Sequence, residues 1–468
     1  MRVRHFGNTA NNAFHNALLL QEYEGIESVL PVLMFGLEHG MSAPGWDVVD
    51  FDVADPAWVA RPEWGAIPEA AAINAKYSDL KIAAAATPGH VPLPGHYRRP
   101  NFLPGFRRWA NAYVAGKRWA QPLVDLRTRQ GFERRPVVSE EGDLINVFYG
   151  PDSLSWVKPS ESSTRTVSLE HGTVRWLGGS GSDQALLRKA YTEQLQRSMH
   201  LWVTNLDPRT LEIAEDVAPG RWSVLPHPFM LDSRVPFAES PARREALLKQ
   251  TDSELLVLLP SSQNWSKDHD KGSIKALNAF IELRNRGIHV GLVAVEWGLQ
   301  LDESKALLKR AGVSDHVAWV PPMARFGLQR MMANVDVVWD QFGLEAFGAL
   351  ALRAVEQGTP FVSRGLAPIG EELIGGPVPW IHAASVDDIV RETSAVFELM
   401  GRLGRDAVIE STRAQYRTWL LDRHSPAITA ALQRDVYSRI LDGTFEPGTS
   451  VPGRWSELLT DASHGEES

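Results

Sequence analysis

Two Rossmann-like, doubly wound α/β domains facing a cleft are expected from this chain. Three features lead there. Short apolar runs alternate with helix-length stretches along much of the 468 residues, the pattern of parallel strands crossed by helices. The rhythm occurs in both halves, with Pro226-His227-Pro228 between them as a stiff connector. A composition of 44% hydrophobic and 22% charged residues supplies ample core and rules out a disordered or collagen-like chain. The boundaries expected are 1–228 for the first domain, 229–442 for the second, and 443–468 for a mobile polar tail.

The first half opens with a strand at Arg2–Phe6, the polar loop Gly7-Asn8-Thr9-Ala10-Asn11-Asn12 and a helix from Ala13 to Tyr23. Gly25 stands where a helix C-cap belongs, and Ile26–Met34 reads as the next strand. Residues 40–100 are rich in Pro, Gly and Ala and give no clear assignment. Strands follow at Leu144–Tyr149 and Thr166–Leu169, then a helix at Gln184–Met199 and strands at Leu201–Thr204 and Arg221–Leu225.

In the second half, strand Leu255–Leu259 leads through a polar loop to a helix at Ser273–Arg286. Strand His289–Val295, helix Leu301–Ala311, strand Val317–Val320, helix Leu328–Asn334 and strand Val335–Trp339 come next. A helix over about Gly348–Glu356 stops at Gly358, strand Pro360–Ser363 follows, and 385–440 reads as mostly helical. Ligands of such sheets bind beyond the carboxyl ends of strands. The loops after the first strand of each half are therefore the expected binding places.

Charge and composition narrow the function. Lys+Arg 48 against Asp+Glu 57 gives −9, which argues against coating nucleic acid. The absence of Cys removes disulfides, Fe–S clusters, thiolate zinc sites and Cys nucleophiles, and fits a cytoplasmic protein. No run reaches the roughly 18 apolar residues of a membrane helix, and the start lacks a signal-peptide core. Most of the 16 Trp read as buried anchors. Residues 97–135 differ from the rest, with ten basic residues against two acidic ones, interleaved with Tyr97, Phe102, Phe106, Trp109, Tyr113 and Trp119. Such a stretch is either a solvated helix with its aromatics in the core or a peripheral contact with an anionic membrane.

Four places carry candidate chemistry. Gly7, Asn8 and Asn11 precede a helix N-terminus, which suits phosphate, although simple Asn capping explains them equally. The loop Ser261–Gly272 holds Lys267, then Lys271 and Gly272 directly before a helix: a cation for a diphosphate and a residue that lets backbone approach closely. Its Asp268-x-Asp270, like Asp50-x-Asp52, matches a two-acid metal pattern at a frequency chance explains, so no metal is expected. In Asp340–Arg353, Glu345 can accept from sugar hydroxyls, and the amides of Gly348, Ala349 and Leu350 open a helix toward an anion. Finally, His171 in Ser168-Leu169-Glu170-His171-Gly172-Thr173 sits at a strand end, where it is either structural or in contact with a sugar.

Lys271-Gly272, Glu345-Ala346-Phe347-Gly348 and Gly358-Thr359-Pro360, in that order within 255–375, resemble the GT-B glycosyltransferases, most closely the retaining enzymes of family 4. Gly7–Asn12 and Glu170–Thr173 look like that family's acceptor-domain loops. Trp419–Leu441, with Arg423-His424-Ser425 and Tyr437, looks like its closing helix, which returns to the first domain. The resemblance implies a nucleotide-diphosphate sugar as donor substrate and no cofactor. It puts Lys271 on the diphosphate, Glu345 on the sugar hydroxyls, the amides after Phe347 on the phosphate and His171 near the donor sugar. The acceptor would be a carbohydrate, lipid-linked or small molecule.

Two positions depart from the family's pattern. Arg353 stands where a second Glu, eight residues after the first, would hold the ribose, and a guanidinium only donates. No Arg lies between Leu255 and Lys271, which leaves Lys267 as the basic substitute. The alternative function is therefore a non-catalytic GT-B binding or partner subunit.

Overall fold

Every strand pairing in the computed structural model is parallel. The structure describes residues 1–6, 12–32, 81–84, 144–150, 153, 165–174, 182–265, 271–321, 323 and 325–446. The expectations for Gly7, Asn8, Asn11, Lys267, both Asp-x-Asp pairs, the basic stretch 97–135 and the tail beyond 446 lie outside the described residues.

The first sheet is built from β1 (Arg2–Phe6), β2 (Glu27–Val32), β3 (Lys81–Ala84), β4 (Leu144–Tyr149), β5 (Thr166–Glu170), β6 (His200–Val203) and β7 (Trp222–Val224), in the order β3-β2-β1-β4-β5-β6-β7. Its described helices are α1 (Asn12–Glu24), α2 (Ser182–Arg197) and α3 (Pro208–Val217). The second sheet contains β8 (Leu255–Leu259), β9 (Val290–Val295), β10 (Val317–Val320), β11 (Val337–Trp339), β12 (Phe361–Ser363) and β13 (Ile381–His382), ordered β10-β9-β8-β11-β12-β13. Around it lie α4 (Pro241–Gln250), α5 (Ser273–Asn285), α6 (Leu301–Arg310), α7 (Arg325–Ala333), α8 (Ala349–Gln357), α9 (Pro368–Leu373), α10 (Val386–Leu403) and α11 (Arg405–Arg423), and α12 (Pro426–Leu441) follows them in the chain.

Both sheets reverse their strand order beside the first strand, at β1/β4 and at β8/β11. These are the switch points where open parallel sheets leave a crevice. Strands β4, β5, β6, β9, β11 and β12 are buried on both faces, as strands of parallel sheets must be. Leu256 and Leu258 of β8 enter one core and Val257 and Leu259 the other, the two-residue alternation of a strand. The core under Leu256 runs across the domain interface: it contains Leu206 and Phe229 together with Leu352, Leu366, Tyr416 and Leu420.

The last helix belongs to the first domain's core. Ala430, Val436, Tyr437 and Ile440 of α12 pack with Phe14, Ala17 and Leu20 of α1. A buried polar network fastens it: Asn16 and Gln433 exchange amide hydrogen bonds at 2.7 Å, Asn16 also donates to the Tyr149 hydroxyl, and Tyr149 meets His5 Nδ1 at 2.7 Å. The closing helix expected over 419–441 is thus two helices. Pro426 disfavours a helical conformation at Ser425, which is extended (φ −63, ψ 131), and α11 ends before it. Gly25 is left-handed (φ +62), as a C-cap requires, with its N–H on Gln21. Helices α3, α4 and α9 and the short strands β3 and β13 had no counterpart in the reading of the sequence. No described helix is long and apolar enough to cross a membrane.

Candidate functional site

The loops after β8 and β11 are joined at the switch point of the second sheet. Gly272, the N-cap of α5, is left-handed (φ +82), and Gly343 N–H donates to the Lys271 carbonyl at 3.0 Å. A Cβ on Gly272 would lie 2.5 Å from the Gly343 nitrogen and 2.7 Å from the Phe342 carbonyl carbon. Only a residue without a side chain permits that approach. Gly272→Ala is therefore expected to cost about 2–4 kcal/mol, combining the strained φ with a backbone clash. Urea unfolding measures it, and an unchanged midpoint would contradict the contact.

Asp340 follows β11 and is buried beside this junction. It accepts from Ser261 Oγ, and burial raises its pKa while the Lys271 charge pulls the other way. Lys271, half-buried, thus sits in the field of a buried carboxyl group that it helps to ionise. Lys275, one turn into α5, donates to the carbonyls of Phe342 (3.1 Å) and Ala384 (2.9 Å). It braces the loop, which leaves Lys271 as the cation at the loop's edge among the described residues. Gln341 is left-handed (φ +62) and donates its side-chain amide to the Ala346 carbonyl, tightening the turn into the next segment.

Glu345 is partly exposed and pairs with Arg364, which follows β12, at 2.8 Å. Phe347 turns its ring away from solvent, into edge-on contacts with Trp380 (5.3 Å), Trp419 (6.3 Å) and His424 (5.8 Å). It can serve an anion only through its backbone. Gly348 caps α8 without a side-chain hydrogen bond, and a Cβ there would meet nothing within 4 Å. Gly348, Ala349 and Leu350 are half-exposed. The first N–H groups of a helix have no partner within it, so this end presents donors and a positive dipole toward open space.

Arg353, one turn further on, is 5% exposed. Its guanidinium lies over the Phe229 ring at 4.3 Å and meets the Met230 carbonyl, Glu356 (3.5 Å) and His15 Nε2 (3.4 Å). Arg325 shares Glu356 at 3.2 Å and donates to the same Met230 carbonyl at 3.0 Å. Gln329 and the Asp232 N–H also donate to Glu356, each at 2.8 Å. Two buried cations thus share one carboxylate at the domain joint, on the helix that starts at Gly348.

His171 follows β5 and is placed by its neighbours. Gly172 is left-handed (φ +96), and a Cβ on it would lie 2.6 Å from Asn205 Nδ2. Glu170, before it, is buried and accepts from Thr173, Val174 N–H and Tyr191, so its role is structural. His171 acts electrostatically on His227 of the connector, as do His15, His424 and Arg353. His424 donates from Nε2 to the His227 carbonyl at 3.0 Å and touches Phe347.

The expected residues therefore fall into two linked groups. Lys271 and Gly272 join the Asp340–Gly343 turn that leads to Glu345, while His171 and Arg353 act on His227 and Phe347 touches His424. Arg364 and His15 were not singled out from the sequence, and His227, His424 and Asp340 were named there only within longer segments, without a role in the site. His227, enclosed by prolines at the domain boundary, carried the one available signal.

Two parallel-sheet α/β domains with this strand order and this crevice define the GT-B architecture. The chain is similar over nearly its full length to solved GT-B structures. One is a glycosyltransferase from Rickettsia africae (10% identity, TM-score 0.50, covering 94% of this chain and 98% of that one). Another is sucrose-phosphate synthase from Thermosynechococcus elongatus (12% identity, TM-score 0.53, 95% and 100%). A third is Anabaena HepE in complex with UDP-glucose (13% identity, TM-score 0.52, 94% and 99%). No family model matches the chain, and no curated protein matches its sequence.

Proposed function

We propose that this protein is a glycosyltransferase that moves a hexosyl or related sugar from a nucleotide-diphosphate sugar to an acceptor, with retention and without a metal. One observation carries the reading: the Lys271-Gly272 loop is locked to the turn that leads through Glu345 to the open N-terminus of α8. That is a cation, a hydroxyl acceptor and a set of backbone donors along one edge of the crevice. Lys271 and the amides of Gly348, Ala349 and Leu350 would hold the diphosphate, and Glu345 would orient sugar hydroxyls, with His171 beside the sugar. The C1–phosphate bond breaks and the C1–acceptor bond forms on the same face, and the acceptor proton passes to the departing diphosphate oxygen. The acceptor is a glycan, lipid-linked or small molecule, met in the cytoplasm, with 97–135 as a peripheral contact to an anionic membrane.

Two further observations favour a second reading, a GT-B binding or partner subunit without catalysis. Glu345 already pairs with Arg364, and Arg353 occupies a position where a carboxylate was expected.

Thermal unfolding against a panel of nucleoside diphosphates and nucleotide sugars tests the first reading. A donor at 100 times its Kd is expected to stabilise the protein by about 2.7 kcal/mol, with slow release of nucleoside diphosphate when no acceptor is present. No shift with any member of the panel would favour the second reading.

A further inference from the structure

We propose that His15, His171 and His424, grouped about His227 with Arg353 at the domain joint, and His227 itself take up a proton when the diphosphate of a donor enters the crevice. Donor binding is then proton-linked, and it tightens as pH falls. This deepens the donor reading above and rests on it.

The four imidazoles come from four separate places: α1, the loop after β5, the connector, and the break between α11 and α12. They meet because both domains and the closing helix converge there. His227 faces His424, His171, His15 and Arg353, and beyond Arg353 stand Arg325 and Glu356. Among the described residues, Arg353 and Arg325 share Glu356 there, and Asp232, paired with Arg234, also acts on Arg325.

One hydrogen bond here requires a neutral ring. Arg353 can only donate, so His15 Nε2, 3.4 Å away, is the acceptor and carries no proton. His424 donates from Nε2 to a carbonyl. Burial and the positive neighbours hold His227 well below the usual imidazole range, and burial pushes His424 down to about 4. The open helix end at Gly348 lies on the same helix as Arg353, and Phe347, next to it, touches His424. An anion bound there brings negative charge to the cluster, and opposite charge within about 4–6 Å favours the protonated ring. A proton so gained belongs to the coupled cluster rather than to one residue.

The sign follows from linkage. The bound form holds the extra proton more tightly than the free form, so affinity rises as pH drops from the bound to the free titration range. UDP-glucose, ADP-glucose and GDP-mannose are suitable probes, because their diphosphate diesters stay fully ionised between pH 6 and 8. Calorimetry on the full chain, in buffers of different ionisation enthalpy, counts the protons directly. For a donor that binds, we expect uptake of close to one proton and a Kd at least about tenfold lower at pH 6 than at pH 8. His15→Gln combined with His227→Gln is expected to lose most of that uptake. Equal affinity at both pH values with no proton exchange in the unmodified protein would overturn the inference and leave the donor reading standing. If none of the three donors binds at either pH, the donor reading fails and the inference with it.

Discussion

Glu345→Ala is expected to lower sugar transfer by roughly 10- to 150-fold while leaving the fold intact. Glu345 is the acidic side chain in the loop between the Lys271–Gly343 junction and α8, and its partner is Arg364. Losing a charge-assisted hydrogen bond to the substrate costs about 1.5–3 kcal/mol, which is that range in rate. The stability cost is small because both members of the pair are partly exposed, and such pairs contribute about 0–1 kcal/mol. Glu345→Gln keeps one acceptor oxygen and should fall between the two. Steady-state rates with a saturating donor decide the matter: transfer unchanged in Glu345→Ala would remove Glu345 from the site.

Glu356→Ala is expected to destabilise the protein by about 3–5 kcal/mol. Its carboxylate is the shared partner of Arg325 and Arg353 and also receives the Asp232 N–H and Gln329. Removing it leaves two buried guanidiniums facing each other. Breaking a buried ion pair on one side costs more than the pair itself contributes, because an uncompensated charge remains. Chemical unfolding of the variant should show the loss in its midpoint. A change below about 1 kcal/mol would mean that water reaches the joint and the network is not dry. The Arg353→Met and Glu356→Leu pair, which removes charge on both sides, should recover part of the stability.

The parts of the site that were legible in the sequence are those built from adjacent residues. Lys271-Gly272 stands out because a strand ends before it and a helix starts at Ser273. The glycine's left-handed φ and its contact with Phe342 and Gly343 are the physical content of that dipeptide. Glu345 and Gly348 were singled out for the same reason, between a strand and a helix. Long apolar strands such as Leu255–Leu259 were equally clear. Strands β3 and β13, of four and two residues, were not, because so few residues carry no period. The histidine cluster had no signature either. His15, His171, His227 and His424 are brought together by topology alone, and no spacing along the chain encodes that meeting. Arg353 drew attention as a departure from a family pattern. Its actual partners, Glu356 and the Met230 carbonyl, could only be read from the packing of α8 against the connector.

The attachment of α12 bears on the order in which the protein becomes stable as it is made. Domains commonly fold as units while the chain emerges from the ribosome, the earlier one first. Here the core around α1 contains Ala430, Val436 and Tyr437, and Asn16 needs Gln433 to satisfy its buried amide. The domain made first therefore cannot close until residues near 440 have left the exit tunnel. The second α/β unit, whose strands and helices lie between Pro241 and Arg423, has its own partners available sooner. The first domain must wait with an open apolar face, and synthesis that stops short of α12 would leave that face exposed to chaperones and proteases.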